Sequence, residues 1–405
     1  MDDARADAAA ARAADAAHPW TQLLGIDATD EPAAPDAPML PSRAALAAHR
    51  DEAQVALDVQ RSFVLYAETQ DAHVRDARRR QLDAVLRGTL RAYPVLHYYQ
   101  GFHDVASLVV LTLAPALPPD GVPWTSTRER ALVQRAVDRI ALHVVRDSMA
   151  SDLTPVLGQL KIVRNMVRAA DLPYALALER AFAPAQVLVA LPWVLTLLAH
   201  DVPTLPIAQR VLDYVLSHGP ASILYICAAI LLQRKAALAA DAAASGTPAL
   251  EDLDAAQLHH TLARVPPLDA DACAALLAHA DTLRRAYPLR CPAVRAHTVL
   301  AGSSVLFTDD PACTDSAALT YAALPGRAHA LDAAPTPRED APVRLAAPRV
   351  RVARVPRVLL VRRLVPFLAR RAATVPLLLA ASLSLLFGGS VLSVVLAVQL
   401  AAAPP

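Results

Sequence analysis

The sequence has few aromatic residues and almost no excess charge. Phe, Trp and Tyr make up 4% of the 405 residues, and 39 basic residues nearly balance 38 acidic ones. A balanced charge provides no electropositive surface of the kind that binds nucleic acids, so we expect no nucleic-acid partner. Strand-forming stretches are also scarce, which argues against a β-rich fold.

Several motifs of self-contained catalysis are missing. The chain has no GxxxxGK[ST] loop and no GxSxG nucleophile motif. Its histidines, including the pair His259 and His260, lack cysteine or carboxylate partners at the spacing of metal ligands. We therefore expect the chain to bind no nucleotide, cofactor or metal of its own.

Signals for disulfides and for secretion are absent as well. The cysteines show no CxxC spacing, and the start MDDARADAAAARAADAA has neither the basic flank nor the apolar core of a secretory signal. We expect reduced thiols and an N-terminus that remains in the cytosol.

Alanine, by contrast, is abundant and supplies much of the 55% hydrophobic content. Alanine is the best helix former, and long stretches between residues 41 and 290 place apolar residues at helical spacing. We predict an all-α domain of ten or more helices over 41–290. Residues 1–40 are predicted to be a flexible segment, although TQLLG beside Trp20 has the apolar content to pack locally.

Two segments, 184–200 and 220–235, are apolar almost all round. They could be membrane spans or buried helices. Each is short for a bilayer crossing and is broken or bounded by proline, which favours buried central helices.

The C-terminal part has a different composition. Residues 291–355 are predicted to form a linker, 356–371 an Arg-rich juxtamembrane segment and 372–400 a transmembrane tail anchor, because the last run is long and uncharged. Nine arginines lie between Arg344 and Arg371, on the N-terminal side of the span, so the positive-inside rule places the folded domain in the cytosol. These arginines could contact anionic lipid head groups, or their segment could lie in the interface as an amphipathic helix.

Two short motifs carry the polar chemistry. In VALDVQR, Val55, Asp58 and Arg61 are three residues apart and share one side of a helix, which alone indicates no more than an intrahelical ion pair. In LHYYQGFHD, a second polar group surrounds a glycine that permits an unusual turn: Tyr98, Gln100, Gly101 and Asp104. His103, in the same stretch, is expected to be a packing or hydrogen-bonding residue.

Together these motifs resemble the two signatures of the TBC domain, the GTPase-activating domain that acts on Rab GTPases. The IxxDxxR signature is matched by residues 55–61, with valine for isoleucine, and the YxQ signature by residues 98–100. A third family feature is similar to Leu191-Pro192-Trp193 followed by Asp213. The HYYQG run and the tail anchor are most similar to a branch of the family found in the endoplasmic reticulum membrane.

The resemblance implies a catalytic role in trans. Arg61 would stabilise the charge that develops on the transferring phosphoryl group, and Gln100 would position the attacking water. Asp58 would orient Arg61, while Tyr98, Gly101 and Asp104 would shape the turn that presents Gln100. The chain would need no cofactor, because its Rab partner carries GTP and Mg²⁺.

Other functions stay open at this point. A protein of the same fold could bind a Rab as a catalytically silent membrane scaffold. A chain that uses 184–200 and 220–235 as additional spans would instead be an integral membrane protein. The resemblance favours activation of a Rab in traffic between endoplasmic reticulum and Golgi.

Overall fold

The computed structural model describes residues 18–26, 43–114, 117, 123–182, 188–202, 204–246 and 255–308. Over these residues the chain is helical and has no strand, which confirms the all-α prediction. In chain order the helices of these ranges are α1 (Pro19–Leu23), α2 (Glu52–Arg61), α3 (Ala72–Ala92), α4 (Phe102–Leu113), α5 (Thr127–His143), α6 (Thr154–Ala170), α7 (Leu172–Phe182), α8 (Leu191–Thr196), α9 (Leu205–His218), α10 (Ser222–Ala244), α11 (Ala255–Ala263), α12 (Ala270–Ala286), α13 (Ala296–Val299) and α14 (Val305–Thr308). Short 3₁₀ turns occur at Arg43–Ala45, Ala67–Thr69 and Arg146–Met149.

Two long helices organise the packing. Asp71 caps the N-terminus of helix α3, because its carboxylate accepts a hydrogen bond from the Val74 N–H. Helix α3 packs against α2, α4 and α5. Helix α10 packs against α6, α8, α9, α11 and α12. Helix α4 joins the two groups because it contacts α3 and α5 on one side and α8 and α9 on the other. Gly101, which precedes α4, lies beside Thr196 of α8.

Of the described helices, α10 alone is long and apolar enough to cross a membrane, a property that a central helix of a folded domain shares. Its residues 222–231 are all buried against neighbouring helices. The segment 184–200 is described from residue 188 and forms the six-residue helix α8 followed by turns. Both observations agree with the interpretation as buried central segments.

The N-terminal part differs from the expectation of a flexible segment. Within 1–40, residues 18–26 contain helix α1, and Trp20 is fully buried against α9. Its indole N–H donates to the carboxylate of Asp213. One tryptophan buries enough area to fix a short helix, and such an anchor leaves no periodic pattern in the sequence.

The packed domain also continues beyond the predicted boundary at residue 290. Helix α13 packs on α6, and Val294, Ala296 and Val305 are fully buried. The carboxylate of Asp147 accepts hydrogen bonds from the Ser304 hydroxyl at 2.6 Å and the Val305 N–H at 2.9 Å. Residues 291–308, expected to belong to the linker, are therefore part of the domain. The remaining linker, the Arg-rich segment and the predicted span lie outside the described residues.

Candidate functional site

Helix α2 is fixed to α3 at its first turn. The carboxylate of Glu52 accepts the His49 N–H at 2.8 Å, and it pairs with Arg87 at 2.8 Å and with Arg91 at 2.6 Å. The hydrogen bond from Arg91 lowers the pKa of Glu52 to about 2, more strongly than partial burial raises it. Val55 is fully buried on the inner side of α2. These anchors set the direction in which the last turn of α2 points.

The carboxylate of Asp58 is the centre of the polar site. It is 1% exposed and accepts three hydrogen bonds. Oδ1 accepts from Gln54 Nε2 at 3.1 Å and from Arg61 Nη2 at 2.7 Å, and Oδ2 accepts from the Tyr98 hydroxyl at 2.7 Å. A buried carboxylate needs such donors, since an unpaired one would be costly.

Arg61 lies at the exposed end of this arrangement. Its side chain is 40% exposed. Within the described part of the chain, its guanidinium makes a single hydrogen bond, which goes to Asp58. A guanidinium carries five N–H donors, so most of them remain available to a ligand or partner. The arrangement orients the arginine without using up its donors.

Tyr98 makes one backbone and one side-chain hydrogen bond to α2 and the residue that caps it. Its backbone N–H donates to Asp51 Oδ2 at 2.8 Å, and its hydroxyl donates to Asp58. The two aspartates are seven residues, or about two helical turns, apart. Burial and the neighbouring Asp58 raise the pKa of Tyr98 well above its ordinary value, so the hydroxyl keeps the proton that it donates. Tyr98 thus holds the second motif against the first.

The turn that contains Gln100 depends on Gly101. Gly101 has φ +122°, in the region that favours glycine, and it precedes α4. A Cβ at this position would lie 3.2 Å from Thr196 Cγ2. The N–H of Gly101 donates to His103 Nδ1 at 3.3 Å, so His103 is a hydrogen-bonding residue of the turn. Gln100, half-buried, lies between Tyr99 and this glycine.

Helix α8 packs against the turn that contains Gln100. The Tyr99 hydroxyl donates to the carbonyl of Leu195 at 2.9 Å, and Thr196 lies against Gly101. Trp193, in the middle of this helix, is fully buried. The proline and tryptophan of the third sequence feature are thus structural. Asp213 holds Trp20 in the N-terminal segment and is not part of the Asp58 cluster.

Asp104 interacts electrostatically with two histidines next to the site. It lies 3.5 Å from His200 Nδ1 and 3.6 Å from His103 Nε2. Burial raises the pKa of Asp104, but the charges of His103, His200 and Arg61 outweigh it and leave the pKa below its ordinary value. The hydrogen bond with Asp104 in turn raises the pKa of His200.

The sequence motifs did not identify three members of the site. Gln54 precedes Asp58 by one helical turn and could have been found by that spacing. Asp51 precedes α2 and looks like an ordinary helix-start residue. His200 comes from a distant turn after α8, and no pattern in the sequence connects it with Asp104.

Comparisons with known proteins identify the class of protein to which this domain belongs. The all-helical fold is that of a Rab GTPase-activating domain. The family described as Rab-GTPase-TBC domain matches residues 20–239, more than half of the chain. The chain belongs to this family, whose members accelerate GTP hydrolysis by Rab proteins.

Similar individual proteins include members from yeast and human. The chain is 29% identical over 192 residues to GTPase-activating protein gyp10 of Schizosaccharomyces pombe, covering 47% of this chain and 46% of that protein. It is 25% identical over 250 residues to TBC1 domain family member 20 of Homo sapiens, covering 61% and 53%. The matches span about half the length of these relatives. The crystal structure of the Ypt/Rab-GAP domain of Gyp1p is 17% identical, with a TM-score of 0.45 over 66% of this chain and 79% of that one.

Proposed function

We propose that this chain accelerates GTP hydrolysis by a Rab-family GTPase by supplying Arg61 and Gln100 in trans. The observation that carries this proposal is the position of Arg61. Its guanidinium is half-exposed at the end of α2 and oriented by a buried carboxylate that Tyr98, two residues before Gln100, also contacts. The buried carboxylate and its contact with Tyr98 distinguish Arg61 from an ordinary surface arginine.

The chemistry fits the two side chains. The transition state of GTP hydrolysis spreads negative charge over the phosphoryl oxygens, and a planar, permanently charged guanidinium stabilises that charge. A glutamine amide can accept a hydrogen bond from water and donate one to a phosphate oxygen. Because GTP and Mg²⁺ belong to the partner, the chain needs to provide no more than these two groups.

The test is single-turnover GTP hydrolysis by a panel of Rab proteins with the full chain as wild type, Arg61→Ala and Gln100→Ala. One Rab should be accelerated, and each substitution should abolish the acceleration, since an arginine supplied in trans contributes about 10³- to 10⁵-fold. The matched control is Arg284→Ala. Arg284 is 38% exposed and pairs with Asp281 three residues earlier on α12, so it shares the spacing of Arg61. Binding of a Rab without acceleration would assign the chain to the scaffold class.

The setting of this activity is also part of the proposal. Residues 372–400 would anchor the chain in the endoplasmic reticulum membrane with the domain in the cytosol, and the substrate would act in traffic to the Golgi. The uncharged run and the preceding arginines support the anchor. Deletion of residues 372–405 should release the protein from membranes; retention would indicate another mode of attachment.

A further inference from the structure

Exposed apolar side chains gather beside Arg61. The most exposed large apolar residues in the described part of the chain are Leu57 at 60%, Val64 at 64% and Leu65 at 44%. Leu57 lies one helical turn before Arg61 on α2, and Val64 and Leu65 follow Arg61 within four residues. Single exposed leucines are common, but three around one functional arginine form a patch. We call Leu57, Val64 and Leu65 the apolar patch.

The backbone after α2 is shaped to expose two of these residues. Phe63 has φ +63°, a left-handed conformation that is uncommon for a residue with a side chain. Phe63 itself is buried, and so is Tyr66, whereas the two residues between them face outward. Burial of Phe63 and Tyr66 on either side therefore leaves Val64 and Leu65 on the surface.

Hydrogen bonds hold this segment in place. The hydroxyl oxygen of Thr69 lies 2.8 Å from the carbonyl oxygen of Phe63 and 2.9 Å from that of Tyr66, so its one proton can be donated to either, and the Thr69 N–H donates to the Tyr66 carbonyl at 3.2 Å. The Tyr66 hydroxyl donates to the carbonyl of Ala199 at 2.7 Å, next to His200. The loop is therefore fixed to the same turn that contacts Asp104, and it presents its apolar residues in a defined position.

From this arrangement we propose that the apolar patch is the surface on which the Rab GTPase docks, through an apolar segment next to the partner's nucleotide site. This rests on the proposed function. An arginine that enters a partner's nucleotide site brings the residues one turn before it and those just after it into contact with the rim of that site. Burial of apolar surface there contributes affinity without taking part in the chemistry.

The experiment separates affinity from rate. The full chain carrying Leu57→Gln, Val64→Thr and Leu65→Gln is compared with wild type in single-turnover hydrolysis at increasing activator concentration. These replacements keep side-chain size close to the original. The half-saturating concentration should rise at least tenfold while the maximal rate stays within twofold. The control is Leu176→Gln, an apolar residue of α7 that is 37% exposed, which should change neither value.

Several results would contradict the proposal that the Rab docks on the apolar patch. One is an unchanged half-saturating concentration in the triple variant. A maximal rate that falls as in Arg61→Ala would show that the residues act on the arginine instead. Wild-type self-association in sedimentation that the triple variant abolishes would show that the occupant is a second copy of the chain.

Direct binding distinguishes this proposal from the proposed function. Each Rab is loaded with a non-hydrolysable GTP analogue and its Kd is measured with wild type and the triple variant. If a Rab binds but is not accelerated, the proposed function fails, and a tenfold weaker Kd of the triple variant still supports the docking surface. If no Rab binds, both fail.

Discussion

Two helices of this domain carry an aspartate and an arginine at the same spacing, with different surroundings. Asp58 and Arg61 on α2 pair at 2.7 Å, and Asp281 and Arg284 on α12 pair at 2.6 Å, with similar exposure of the two arginines. Asp58, however, is 1% exposed and also accepts from Gln54 and Tyr98. Asp281 is 21% exposed, and its further partner is Arg285 on the same helix.

The difference shows what the motif needs in order to become a site. A DxxR pair on a solvated helix contributes a few tenths of a kcal/mol and nothing more. On α2 the pair is tied to a second motif by Tyr98, so the orientation of Arg61 depends on residues about 40 positions away. The spacing defines the pair, and the tertiary contact with Tyr98 makes it a functional candidate.

The largest effect should come from changing the arginine head group. Arg61→Lys keeps the charge and the pairing with Asp58 but loses the planar fork of donors. We expect single-turnover GTP hydrolysis by the partner Rab to slow by about 10³-fold, with unfolding stability unchanged. Arg284→Lys should leave the rate at the wild-type value. A lysine variant that retains most of the activity would show that charge alone suffices at this position.

Removing the charge on the aspartate should affect both stability and rate. In Asp58→Asn the buried side chain loses its charge and offers one acceptor oxygen in place of two, so the donations from Arg61 and from Tyr98 cannot both be kept. We expect a loss of about 2 kcal/mol in the free energy of unfolding, measured by urea denaturation, together with at least a tenfold slower rate. Asp281→Asn should cost about 0.5 kcal/mol or less. Equal losses in the two variants would contradict a special role of the buried carboxylate.

A smaller effect is expected from the tyrosine hydroxyl. Tyr98→Phe removes one donor to Asp58 and leaves the ring and the backbone contact to Asp51 in place. We expect a loss of about 1 kcal/mol in stability and about a tenfold slower maximal rate, because Arg61 becomes less well oriented. The control is Tyr174→Phe on α7, because the Tyr174 hydroxyl is also buried and donates to the Leu231 carbonyl at 3.0 Å, away from the Asp58 site. A wild-type rate in Tyr98→Phe would show that Arg61 needs no support from the second motif.

Whether a contact of the fold or the site could be predicted from the sequence depends on how far apart its two residues are along the chain. The Asp58–Arg61 pair lies within one helix, so its spacing alone predicts it. The family resemblance paired the two distant motifs, but the contact between Asp58 and Tyr98 was not predicted and is known from the structure. The contacts Asp104–His200 and Trp20–Asp213 depend on where the chain returns in space, and no local periodicity records that path. For the same reason the burial of residues 291–308 was not predicted.

The smallest effect on the rate is expected at Glu52, whose carboxylate holds α2 against α3. Glu52 has a pKa of about 2 in the folded protein, below its ordinary value of 4.5, because Arg91 donates to it. Since this folded-state pKa is depressed, the stabilisation is present above about pH 4.5 and is lost as the pH falls towards 2. In Glu52→Gln the loss of stability should be about 1 kcal/mol at pH 6, measured by urea denaturation, and should shrink steadily below pH 4.5. A difference that stays constant from pH 6 to pH 2.5 would mean that the ionised carboxylate does not hold α2 in place, and the orientation of Arg61 would then depend on Asp51, Asp58 and Tyr98 alone.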